Sequence, residues 1–153
     1  MDGVNNNANG MTGDVLVRLT DGSTPALSSL AGPAGADLFS YKLGIGVHMQ
    51  HACNIETADQ TGTVASINLP EQGPVTCGTA TEFLMSDGTY KTAANLKAGD
   101  ILIGRFGPIT LEADVVVTTL ATPAQCYQLS VHGVGNFALA CGLFVKSQNL
   151  NWA

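Results

Sequence analysis

The sequence predicts an all-β domain of many short strands, and three observations predict it. Apolar, β-branched runs are short and stop at Gly, Pro, Asn and Asp turn signals. No stretch holds the 3.6-residue apolar period of a helix over three turns. A strand–turn phrase also occurs twice. Its fuller copy is Glu82 to Ile103, EFLMSDGTYKTAANLKAGDILI, which reads as strand, turn, short ordered segment, turn, strand. Phe83-Leu84-Met85 stops at Ser86-Asp87-Gly88, where Gly tolerates positive φ. Leu96 is an apolar anchor, Ala98-Gly99-Asp100 turns the chain, and Ile101-Leu102-Ile103 suits a buried strand. The earlier copy is Val15 to Ser23, VLVRLTDGS, closed by Leu30-Ala31-Gly32. Asp21 to Leu30 is nine positions, as is Asp87 to Leu96, though the closing glycines fall one position out of register. Two related halves about 66 residues apart are implied.

In chain order, residues 1–10 are an Asn/Gly-rich arm, 11–147 the domain and 148–153 a tail. The arm has no periodicity and takes order by docking on the domain or on a neighbour. Residues 13 to 22 are expected to form the first strand and turn, and 26 to 32 a short helical turn or loop around Leu27 and Leu30. Ala36 to Met49 reads as a strand bent at Gly44 and Gly46, continued by Cys53 to Glu56, with Thr57 to Gly62 as a turn. Thr63 to Leu69 alternates as a strand does, and 70–74 is a Pro/Gly loop before Val75-Thr76-Cys77. Past Ile103, Arg105 to Pro108 is a turn and Ile109 to Leu120 a long strand. Gln125 to Val131, Asn136 to Ala140 and Leu143 to Val145 follow, with a turn at 132–135 carrying a solvent-facing His132.

With 153 residues the chain fits one domain with a real core. Only 12% of residues are charged, against the usual quarter, and the net charge is −6. The six basic residues are scattered, which disfavours nucleic acid as a partner. Nothing approaches the roughly 20 apolar residues of a membrane-spanning helix. The start lacks the basic and apolar regions of a signal peptide, so secretion by that route is not expected. Cys53, Cys77, Cys126 and Cys141 have no CxxC spacing and read as reduced thiols packed as small hydrophobes.

Three segments carry a resemblance, and they come in a fixed order: Gly13-Asp14-Val15-Leu16-Val17, Val75 to Ile103, and Cys126 to Val145 (CYQLSVHGVGNFALACGLFV). Together they resemble the Hint domain shared by inteins and hedgehog autoprocessing domains. The resemblance implies a compact horseshoe of many short strands with pseudo-twofold internal symmetry, in agreement with the repeat. It also implies where self-processing chemistry would sit. A Hint domain opens with Cys or Ser, because an N-to-S or N-to-O acyl shift needs a thiol or hydroxyl. That place here is Gly10, with Thr12 the nearest hydroxyl, two positions away. The family's TxxH motif, whose His acts on the scissile amide, falls on Gly78 and Thr81. The family's Asp after Tyr falls on Gln128, and the terminal His-Asn on Lys146 and Ser147. A threonine is no acid near neutral pH, an amide does not titrate there, and Ser forms no succinimide. Four roles are vacant, so no catalytic residue and no enzymatic activity are expected.

His48, His51 and Cys53 form the one cluster of ligand-like residues; in a strand, positions 48 and 51 face opposite ways, so no metal is expected, and no cofactor. Cys77 is expected to pack rather than react, since no basic neighbour in sequence lowers its pKa. The function expected is therefore structural: a degenerate Hint domain acting in an assembly with other protein subunits. A surface poor in Lys and Glu loses little when packed against protein. Asp2, Val4, Asn5, Asn6, Asn7 and Asn9 of the arm, with Leu150 and Trp152 of the tail, are the candidate contacts. The composition suggests a virion setting, as a phage capsid decoration or tail/baseplate subunit, or else the cytoplasm. The initial Met and the short tail read as a chain without flanking segments to join. The alternative is an autoprocessing domain that uses unconventional residues. A glycan or small-molecule module using Trp152 or Tyr41, Tyr90 and Tyr127 ranks last, because these aromatics are not clustered.

Overall fold

The computed structural model describes residues 10–12, 14–30, 36–42, 46–69, 73–105, 107–131, 136–146 and 148–149. Every described element is a strand or a single 3-10 turn, as the short apolar runs dictate. The main sheet has six strands: β1 (Met11–Thr12), β2 (Ala36–Lys42), β3 (Gly46–Leu69), β4 (Gly73–Gly78), β9 (Val116–Val131) and β12 (Gln148–Asn149). Their order is β12-β9-β1-β4-β3-β2, and β9 also pairs with β3. A second sheet joins β5 (Glu82–Leu84), β6 (Tyr90–Thr92), β10 (Asn136–Ala138) and β11 (Phe144–Lys146) in the order β10-β11-β5-β6. β7 (Ile101–Gly104) and β8 (Gly107–Thr110) pair as a third, two-stranded sheet, with single bridges from Leu102 to Met85 and from Gly104 to Leu143. The all-β horseshoe expected from the sequence is the fold found.

The two copies of the repeat make the same hydrogen bonds. In the first turn the Gly22 N–H donates to the Leu19 carbonyl and the Leu19 N–H to the Ser23 carbonyl; in the second, Gly88 donates to Met85 and Met85 to Thr89. Gly22 and Gly88 have φ of 91° and 88°, a region that favours glycine. Asp21 Oδ1 accepts from the N–H and hydroxyl of Ser23, and Asp87 Oδ1 accepts from those of Thr89. These bonds hold both carboxyls below the usual range, the hydroxyl donor first. The Leu27 N–H donates to the Val15 carbonyl at 2.8 Å, and Ala93 to Thr81 at 2.7 Å. Val17 bridges to Leu139 where Phe83 pairs with Val145, and Leu19 to Leu38 where Met85 bridges to Leu102. The Met11–Cys77 pair, between equivalent positions of the two copies, lies on the pseudo-twofold axis.

Several local expectations are corrected. Val15 to Thr20 is no continuous strand: Leu16, Val17 and Leu19 make isolated bridges. The strand expected over 36–49 is divided between β2 and β3, which pair antiparallel with Lys42 opposite Gly46, and Gly44 lies outside the described residues. Thr57 to Gly62 is not a turn but part of the 24-residue β3, which absorbs its polar residues in register shifts between Thr57/Gln60 and Thr61/Thr63. The strand expected over 109–120 is divided between β8 and β9.

The core runs between the two halves through Met11, Val17, Leu27, Leu38, Ile67, Phe83, Leu102, Leu139 and Leu143, all at most 1% exposed. Asn136, 1% exposed, uses its side-chain amide as a backbone would: Oδ1 accepts from the Tyr41 N–H and Nδ2 donates to the Tyr41 carbonyl, both at 2.8 Å. Nδ2 also reaches the Tyr90 hydroxyl at 3.0 Å.

One ion pair ties the fuller copy of the repeat together. Asp100 Oδ2 accepts from Lys91 Nζ at 2.8 Å and from the Lys97 N–H at 3.0 Å. The Lys91 bond, ahead of the others, lowers the Asp100 pKa below its ordinary 3.8. A folded-state pKa below the unfolded one gives stability that is present above pH 3.8 and lost as pH falls through the folded value. Asp100→Asn should therefore make stability less sensitive to acid, read as a smaller drop in urea midpoint between about pH 5 and about pH 3.

Candidate functional site

The start of β1 is packed against the turn between β4 and β5. Gly10, at the boundary of the arm, is buried. Its N–H donates to Thr81 Oγ1 at 2.9 Å, and the Thr81 hydroxyl donates back to the Gly10 carbonyl at 2.8 Å. The Gly78 N–H donates to the same carbonyl at 2.8 Å. The turn itself closes with the Thr81 N–H donating to the Gly78 carbonyl at 3.1 Å. Gly10, Gly78 and Thr81, singled out separately in the sequence, are thus one hydrogen-bonded unit.

The chemistry of this unit follows from its groups. The Thr81 hydroxyl is fully buried and satisfied as both donor and acceptor by a single residue. Gly10 has φ of 142°, a conformation that side-chain-bearing residues rarely adopt. Position 10 offers neither a nucleophile nor a backbone suited to one. Cys77 lies beside it at 0% exposure, and burial pushes its thiol up to about 12, against a smaller lowering by the Thr81 hydroxyl. Cys126 is equally buried. Both pack as the sequence reading expected. A protonated thiol with its pKa raised is a poor nucleophile.

Lys146 ends β11, one residue after Val145, which pairs with Phe83. Its ammonium lies 3.6 Å from Glu82 and 5.4 Å from the Tyr90 ring centre. Gln128 sits in β9 opposite Glu56 of β3. Ser147 lies outside the described residues, as do His132, Asp2, Val4, Asn5, Asn6, Asn7, Asn9, Leu150 and Trp152. Residue 149, beyond the family's terminal position, is held in β12, parallel to β9 opposite Val131.

Residues 48 and 51 are an odd number of positions apart on a regularly paired part of β3, opposite Ser40 and Asp37. The side chains of His48, His51 and Cys53 lie outside the described residues, and no group of three metal-ligating side chains occurs among the described ones. Among the described residues no helix is long and apolar enough to cross a membrane.

No family model and no curated protein sequence matches this chain. Solved structures do. A bacterial intein-like domain from Clostridium thermocellum superposes with a TM-score of 0.77 at 12% identity, over 91% of this chain and 99% of that one. The fold is that of the inteins. The PabCDC21-1 intein gives a TM-score of 0.76 at 16% identity, over 92% of this chain and 99% of its own. A DnaB intein from Synechocystis gives 0.74 at 17%, over 91% and 98%. The Hint resemblance read from three motifs is therefore present in three dimensions, over nearly the whole length of each neighbour. The clasp of Gly10 by Thr81 was not read from the sequence. Its signal was available in the resemblance, which set Thr81 at the place expected for a residue acting on the scissile amide.

Proposed function

We propose that this chain is a non-catalytic protein module, an intein-like fold used as a rigid part of an assembly with other protein subunits. The observation that carries the reading is Gly10. At the place of the family's nucleophile stands a buried glycine at φ 142°, clamped by the Thr81 hydroxyl and the Gly78 N–H. Attack on a preceding carbonyl needs a thiol or hydroxyl there and an acid at position 81, and the residues present supply neither. The arm and tail residues named above are the proposed contacts, and low surface charge is what favours burial against protein. The virion setting is part of the same proposal and rests on composition.

The rival reading is self-cleavage through unconventional residues, and the inteins among the structural neighbours favour it. Mass spectrometry separates the two. An intact denatured mass, with an oligomer in the native spectrum that is lost on deleting residues 2–8, is the expected result. Asn9 is kept so that no charged amine replaces the buried Gly10 N–H. Fragments ending near Gly10 or Lys146 would overturn the proposal.

A further inference from the structure

The pseudo-twofold axis gives the Gly10 site a counterpart in the other half. Thr76 is the repeat equivalent of Gly10, Val15 that of Thr81, and Ala140 that of Lys146, because Leu139 meets Val17 where Val145 meets Phe83. The counterpart is open where the first site is closed. Val15 has no hydroxyl to reach across, and Ala140 is small. A cavity of about 180 Å³ results, far above the roughly 10–15 Å³ one water requires.

Its lining has two chemistries. The buried side chains of Val15, Val75 and Leu139 give apolar walls. Beneath the lining residues Asp14 and Thr76, the buried Thr12 Oγ1 lies 2.7 Å from Asp14 Oδ1, 2.7 Å from Thr76 Oγ1 and 3.1 Å from the Thr76 carbonyl oxygen. Whichever of the two hydroxyls donates, the Thr76 oxygen keeps a lone pair as an acceptor toward a guest. Among the described lining residues the one formal charge is that of Asp14, which is exposed.

We propose that this cavity binds a primary alkylammonium group, from a lysine side chain of a protein partner or a free small amine. The match is by chemistry. A methylene stem fits the Val15, Val75 and Leu139 walls, and the three N–H donors of an ammonium suit a carboxylate and a hydroxyl oxygen. An anion would meet the Asp14 charge, and a neutral alkyl group would leave that carboxylate without a cationic partner. The site is independent of the assembly proposal, since it uses neither the arm nor the tail.

The test is a titration of the full chain followed by amide NMR, with n-butylammonium, Nα-acetyl-lysine methylamide and n-butanol as probes. Saturable shifts are expected at residues 14–16, 75–76 and 139–141, with butanol about two- to fivefold weaker. Comparable binding of the lysine amide assigns the site to a protein side chain; binding of butylammonium alone assigns it to a small amine. Asp14→Asn keeps an acceptor for Thr12 and, because the carboxylate is exposed, should weaken ammonium binding by about two- to fivefold. Cys141 lines the same cavity and is half-buried, with its thiol pKa raised by burial, so bound ammonium should also slow its alkylation. Equal affinity for butanol and butylammonium, or shifts placed elsewhere, would overturn the proposal. That comparison uses the unaltered protein, so it stands even if the variant fails to fold.

Discussion

Thr81→Val is expected to destabilise the protein by about 1–3 kcal/mol, because a buried amide then loses its partner. Valine matches threonine in shape, so no cavity forms and the cost is that of the hydrogen bonds. The Gly10 N–H has Thr81 Oγ1 as its acceptor, at 2.9 Å inside the protein. The Gly10 carbonyl keeps the Gly78 N–H but loses the hydroxyl. Thermal or urea unfolding reads the loss, and for a chain of this length each kcal/mol lowers the Tm by about 2–4 °C. Native-state hydrogen exchange adds a readout that a general loss of packing would not give. The Gly10 amide should lose more protection than the core amides of Phe83 or Leu139. Thr81→Ser, which keeps the hydroxyl, should restore that protection. If valine leaves both stability and Gly10 exchange unchanged, the hydroxyl does not hold the start of the domain. The proposed exchange of a processing role for a structural one would then lose its support.

The fold class was legible because it rests on local chemistry. Asp21-Gly22-Ser23 and Asp87-Gly88-Thr89 specify their turns through carboxylate-to-hydroxyl bonds and a positive φ, and each repeats the other bond for bond. What escaped the sequence was long-range pairing. Thr57 to Gly62 and Pro123 look like breakers, yet both lie inside long strands, β3 and β9. Between Thr119, opposite Thr63, and Ala124, opposite Thr61, the register shifts, and Pro123 falls within that shift. A proline is tolerated there because the ladder asks it for no N–H. The candidate site was legible by position and not by geometry. Motif order placed Gly10, Gly78 and Thr81, while their mutual bonds depend on how two halves fold together. The counterpart cavity was invisible for the same reason, because Asp14, Thr76 and Cys141 meet only across the pseudo-twofold axis.

The duplicated architecture also sets the largest stability effect. Phe83→Ala should cost about 3–5 kcal/mol, the range for removing a buried phenylalanine ring and leaving a cavity. Phe83 is 0% exposed, in the middle of β5, paired with Val145 on one side and Lys91 on the other. Strands on both sides limit collapse into the vacated space. Its equivalent in the other half is Val17, also 0% exposed, which bridges to Leu139. Val17→Ala removes two methyl groups in place of a ring, and at about 0.8 kcal/mol per buried carbon, plus a smaller cavity, should cost about 2 kcal/mol. Urea unfolding of the two variants tests the relation between the halves. Two cooperative transitions with nearly equal m-values, and the phenylalanine variant markedly the weaker, would mean that both halves unfold as one unit. A separate early transition in the Phe83→Ala protein would mean that each half has its own stability, and the shared core through Met11 and Cys77 would not be what couples them.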